Sequence, residues 1–231
     1  NGITELPHAI GTVANLWQDL FNNVKKLELP DSITEIPAYR PGAPDNDPPN
    51  QNPGADIGYF QDCTSLTNVI LGKAVTKIAN RAFNGCTKLV EIKVPETLET
   101  IGDEAFRDCT SLERFVDFPD SLTVIGQRAF QNCSELGIVK IPDGVTEIRD
   151  SCFNGCGSLS NLVIGAGVEF IGISAFQNCG NLLNKPGRLI AVEIPDSTYE
   201  IDASAFFGCT YLTNVTGGLS LEELQTFRQF G

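Results

Sequence analysis

Ile78-Ala79-Asn80-Arg81-Ala82-Phe83-Asn84-Gly85-Cys86 is a phrase that this chain repeats at 101–109, 125–133, 148–156, 171–179 and 201–209. Seven cysteines mark the beat, Cys63, Cys86, Cys109, Cys133, Cys156, Cys179 and Cys209, in steps of 23, 23, 24, 23, 23 and 30 residues. Self-similarity at such a period signals stacked copies of one small unit. A stacked repeat protein presents an extended surface rather than a single pocket. The period alone therefore points toward binding and away from catalysis.

The words around the phrase agree as well. A leucine sits three residues past each cysteine, at Leu66, Leu89, Leu112, Leu136, Leu159, Leu182 and Leu212. An apolar alternation follows, as in Ile92-Lys93-Val94 and Val139-Lys140-Ile141, and suits a short half-buried strand. Pro95, Pro119, Pro142 and Pro195, or Gly72 and Gly165 in the same place, then open a turn. Residues 145–148 read as a second, very short strand. Ala105-Phe106 reads as a single helical turn, and cap formers such as Asn80, Asp103 and Asp150 open such turns. The residue before each cysteine is Asp62, Gly85, Asp108, Asn132, Gly155, Asn178 or Gly208. These types tolerate the left-handed conformation, so the helical turn should stop there and swing the cysteine inward.

Earlier sequence fits in degraded form. Pro7 and Pro30 lie 23 residues apart, and Phe21 takes the cysteine place. The expected fold class is α/β, with about nine coils of roughly 23 residues, each a strand, a turn, a very short second strand and a helical turn. Residues 1–219 form the solenoid in this reading, interrupted by a Pro/Asn/Asp-rich insertion at 37–55 and a shorter one at 183–190. The stretch 220–231 breaks the repeat. Ser220 and Glu223 have capping-box spacing, and Leu221, Leu224 and Phe227 share a helical face, as a C-terminal capping helix would.

The motif I-G-x-x-A-F-x-x-C-x-x-L-x-x-[IV]-x-[IV]-P stands almost letter for letter at 125–142, and with one extra residue at 101–119. It resembles the BspA-like leucine-rich repeats, and the likeness covers roughly residues 24–216. The resemblance implies a right-handed solenoid with a parallel sheet on one face. It also implies secretion or surface display, and an adhesin-like role toward host or neighbouring proteins.

The net charge is −13, from 29 acidic and 16 basic residues. That balance argues against nucleic acid, which requires a basic footprint, and against anionic membranes. No apolar run approaches the ~20 residues of a membrane-spanning helix, so no membrane insertion is expected in this segment. The chain has no signal peptide and no methionine, which suggests a processed or excised portion of something longer.

Catalysis has little support. The one histidine, His8, sits in the degraded first coil and cannot activate seven equivalent cysteines. The cysteines lack the converging vectors of disulfides and the close pairs of zinc sites. They read as small apolar fillers of a structural column, and Cys152, in an alanine place, reads likewise. Asp31, Glu96, Asp120, Asp143 and Asp196 follow the turn prolines. Turn chemistry accounts for them more simply than a calcium edge, which needs converging oxygens. No catalytic residue, cofactor or metal is therefore expected. The 37–55 insertion reads either as a tolerated loop or as a partner contact, with Asp45 and Asp47 as loose cation ligands. Of two glycosylation-type sequons, that at Asn132 overlaps a buried cysteine, and that at Asn214 lies on the strand face.

The outward face of the main strands is the best candidate surface. Alternation places Asn68, Glu91, Arg114, Ile138 and Asn161 in one column, and Ile70, Lys93, Lys140 and Val163 in the next. The position of Asp117 is open, because its coil has one residue more. Aliphatics on this face could seed a protein contact. The leading expectation is a non-enzymatic, monomeric binding module for an extracellular or host protein. A structural spacer within a longer surface protein is the alternative, and a glycan-binding module a weaker one for want of exposed aromatics.

Overall fold

The computed structural model describes residues 23–37, 58–115, 117–182, 188–202 and 204–218. The first degraded coil with His8, nearly all of the 37–55 insertion, residues 183–187 of the 183–190 insertion and the expected capping helix lie outside the described residues. Fifteen strands are numbered in chain order. One face carries β1 (Lys26–Glu28), β3 (Asn68–Ile70), β5 (Glu91–Lys93), β7 (Arg114–Phe115), β9 (Ile138–Lys140), β11 (Asn161–Val163), β13 (Ala191–Ile194) and β15 (Asn214–Gly217). A second face carries β2 (Glu35–Ile36), β4 (Lys77–Ile78), β6 (Thr100–Ile101), β8 (Val124–Ile125), β10 (Glu147–Ile148), β12 (Phe170–Ile171) and β14 (Glu200–Ile201). All pairings are parallel and in register from coil to coil, for instance Lys26 with Asn68 and Asn68 with Glu91. The described residues form a parallel β-solenoid of about six turns, counted along the phenylalanines from Phe60 to Phe206. The expected nine coils include residues outside the described ones.

The segment expected as a helical turn is not helical. It is a chain of turns whose N–H groups alternate in direction. Arg81, Phe83 and Gly85 donate sideways to the carbonyls of Asp103, Ala105 and Arg107 in the next coil, each at 2.8 Å. Ala82, Asn84 and Cys86 donate three residues back along their own chain. Alternate amides thus form a third ladder along the rod, which a helix would forbid by turning every amide along its axis. The expected helix caps have a different role too. Asn80 Oδ1 and Asp103 Oδ1 accept the Asp103 and Gln127 amides of the following coils, at 2.9 and 2.8 Å.

The core lies between the three faces. The middle residues of the long-face strands, such as Val69, Ile92 and Val139, are buried, and so are the leucine, cysteine, alanine and phenylalanine columns. Six consecutive phenylalanine pairs stack nearly parallel at 5.1–5.4 Å. The sheets are not continuous. The long face runs β1-β3-β5-β7, then β9-β11, then β13-β15, and the second runs β2-β4-β6-β8, then β10-β12-β14. Both faces break at one step, between the coil of β7 and β8 and that of β9 and β10. The third ladder holds there: Phe130 N–H reaches the Cys152 carbonyl at 2.8 Å and Asn132 N–H the Asn154 carbonyl at 2.7 Å.

Candidate functional site

Strand pairing brings most of the expected face together. Asn68, Glu91 and Arg114 are neighbours on β3, β5 and β7, with Ile70 beside Lys93. The Asn68 amide donates to Glu91 Oε2 at 3.3 Å. Ile138 pairs with Asn161, and Lys140 with Val163, on β9 and β11. All nine point outward; Asn68 and Glu91 are half-buried and the rest exposed. Ile70, Val163 and Ile138 stand 41%, 45% and 63% exposed. Lys93, Arg114 and Lys140 have no ion pair among the described residues.

The expected unbroken columns are interrupted between Arg114 and Ile138. The cause lies in the extra residue of that coil. Where β5 runs Glu91-Ile92-Lys93-Val94 to its proline, the next coil runs from Arg114 to Phe118 before Pro119. One added residue acts as a bulge, which disrupts pairing beyond it. The bulge also turns two large side chains toward the core. Phe115 and Phe118 lie 4.7 Å apart and both touch Phe130, at 5.1 and 5.5 Å. In the preceding coil Ile92 and Val94 hold these places, so the rings add volume and spread the coils on this face. The result is a cleft of about 530 Å³ lined by Arg114, Phe115, Asp117 and Phe118 on one side and residues 135–140 on the other, with Ser158 and Ser160. Ser158 is 7% exposed and its hydroxyl has no hydrogen-bond partner. Sequence reading missed this cleft; the 24-residue step and the two phenylalanines are the signals that mark it.

The cysteine column is structural in its contacts. All eight thiols are buried. Cys86, Cys109, Cys133, Cys156, Cys179 and Cys209 each donate to a phenylalanine carbonyl of the preceding coil at 3.0–3.4 Å. Cys63 is buried in the same core. Burial pushes the thiols of Cys86, Cys109, Cys133, Cys152, Cys156 and Cys179 up, away from the reactive thiolate. The turn acids serve the turns: Asp31 and Asp143 accept the backbone amides of Lys73 and Ala166 at 2.9 and 2.8 Å. Among the described residues no group of three acids, histidines or cysteines could hold a metal, and no helix is long and apolar enough to cross a membrane.

A solved structure shares this architecture. The chain matches the solved leucine-rich repeat protein of T. pallidum at 29% identity, over 89% of this chain and 83% of that one, with a TM-score of 0.64. A leucine-rich repeat protein of Bacteroides ovatus, at 19% identity, 84% and 63% coverage and a TM-score of 0.36, and a leucine rich cell surface protein of Faecalibacterium prausnitzii, at 18%, 88% and 82% and 0.28, are more distant. No curated protein sequence matches the chain significantly. The model of the BspA-type leucine-rich repeat region matches residues 56–183 and 184–228, with six copies. With three-quarters of its length inside that match and the repeat visible coil by coil, the chain belongs to the BspA-type leucine-rich repeat family.

Proposed function

We propose that this chain is a non-enzymatic binding module, displayed at a cell surface or secreted, that presents its long strand face to an extracellular protein. The observation that carries the reading is the set of aliphatics, Ile70, Ile138 and Val163, exposed on a face otherwise made of amides and charges. Apolar side chains within a polar rim are the composition of a protein interface. The unpaired Lys93, Arg114 and Lys140 give the same face local positive charge on a chain of net charge −13. An acidic contact patch on the partner fits that arrangement, and screening by salt would slow its association. The test is pull-down from matrix and plasma proteins with the wild type and with the triple variant Ile70→Glu/Ile138→Glu/Val163→Glu. Capture should fall at least about tenfold in the variant, since each buried aliphatic contributes on the order of 1.5–3 kcal/mol. Equal capture by the two removes the face from the account.

A further inference from the structure

We infer that the gap between β7 and β9 is a slot for an extended peptide segment of a partner protein, which enters as an added strand and completes the interrupted sheet. The inference rests on the reading of the strand face as a binding surface, and adds where on that face a partner is held and by what chemistry.

Strand alternation decides which backbone groups face the gap. Successive residues of a strand turn their N–H and C=O groups to opposite sides. In the paired coils the first and third strand residues face the preceding coil: Asn68 N–H reaches the Lys25 carbonyl at 3.1 Å, and the Ile70 carbonyl accepts the Leu29 amide at 2.9 Å. The same geometry aims the amides and carbonyls of Ile138 and Lys140 at β7, and those of Phe115 at β9. Among the described residues no strand pairing joins β7 to β9. Nor does Gly137 or Ile138 donate to the Glu113 carbonyl, as Val90 and Glu91 do to the Thr67 carbonyl at 2.8 and 3.3 Å.

Two open edges thus face each other at the one step where both the long face and the second face are unpaired among the described residues. An open edge is a template for another chain, and an extended main chain is the ligand whose donors and acceptors match it residue by residue. Side-chain chemistry supports the same occupant. Phe115 and Phe118 form an apolar floor, the Ser158 hydroxyl lies unpaired in the wall, and Arg114 and Lys140 stand exposed at the rim. The cleft volume is that of a typical ligand site. An inserted strand needs roughly 10 Å between β7 and β9, twice the ordinary spacing. The coils have room to open, because the second face is unpaired at the same step. Phe130 and Phe153, stacked at 5.3 Å, remain as the pivot.

The experiment selects a phage-displayed library of random linear peptides on the whole chain and measures enriched peptides against two changes. One is Gly137→Trp. A Cβ at Gly137 meets only the Ser158 carbonyl, at 3.8 Å, an ordinary contact, so the indole beyond it should fill the slot, with an unchanged melting temperature showing that the fold is kept. The other is N-methylation of the peptide at alternate residues, which removes main-chain donors and keeps side chains. Each change is expected to weaken binding at least about tenfold. No enriched peptide, or full-strength binding after either change, overturns the slot. A protein partner lost with Ile70→Glu/Val163→Glu and kept by Gly137→Trp leaves the face standing without the slot. Self-association that Gly137→Trp abolishes assigns the gap to a second copy of the chain and overturns the partner peptide.

Discussion

Phe130 shows how a single residue ties the coils together. Its ring stacks on Phe106 and Phe153 at 5.2 and 5.3 Å. Its carbonyl accepts the Cys133 amide at 3.1 Å and the Cys156 thiol at 3.4 Å. The cysteine therefore fills space and supplies the second donor that a buried carbonyl can take. Packing of this kind predicts a cost. Phe153→Ala, which opens a hole between rings at 5.3 and 5.4 Å, should lower unfolding free energy by about 3–5 kcal/mol in a urea titration. A loss below ~1 kcal/mol would mean that the column is not the main support. The left-handed positions before the cysteines were legible, because Gly, Asn and Asp announce them. Asp62, Gly85, Asp108, Asn132, Gly155, Asn178 and Gly208 all have φ between 59° and 79°. A second set, Arg81, Glu104, Arg128, Ser151 and Ser174, has φ between 53° and 58° and was not legible. Nothing in those residue types favours the conformation; the sideways ladder imposes it.

At the scale of elements, the third ladder also carries the densest charge cluster among the described residues. Glu104 is 13% exposed and faces three guanidiniums, Arg81 at 3.1 Å, Arg107 at 3.4 Å and Arg128 at 3.6 Å. Burial alone would raise its pKa, but the Arg81 hydrogen bond and the charges of all three arginines outweigh it and hold the carboxyl below its ordinary 4.5. A depressed folded pKa stabilises the fold above the unfolded value, and that gain is lost as pH falls through the folded one. Glu104→Gln should therefore cost about 1–2 kcal/mol at neutral pH. The difference from wild type should shrink below pH 4.5, as pH-dependent thermal melts would show. A difference constant across that range would remove the ion cluster from the explanation. The strands themselves were legible from period-two alternation, and the exposed face followed from it. The helical turn was misread because Ala-Phe between polar residues looks alike in a helix and in a chain of turns. The lateral partners that decide between them lie some 23 residues away in sequence.

The molecule as a whole is a one-dimensional stack, so each coil depends on its neighbours. Two of its three faces open at one step, which divides the described rod into a segment ending at β8 and one beginning at β9. The extra residue before Pro119 was visible in the sequence. Its consequence was not, because it depends on how Phe115 and Phe118 fill the core once the register slips. The slot and the division of the rod share one requirement, that β9 presents an unpaired edge. Amide hydrogen exchange of the free chain, resolved by residue, tests it most directly. The Ile141 amide, bonded to the Val163 carbonyl at 2.8 Å, and the Val139 amide, facing β11, should be protected. The Ile138 and Lys140 amides, facing the gap, should exchange at least about a hundredfold faster. Equal protection of all four would show a closed sheet and contradict the account.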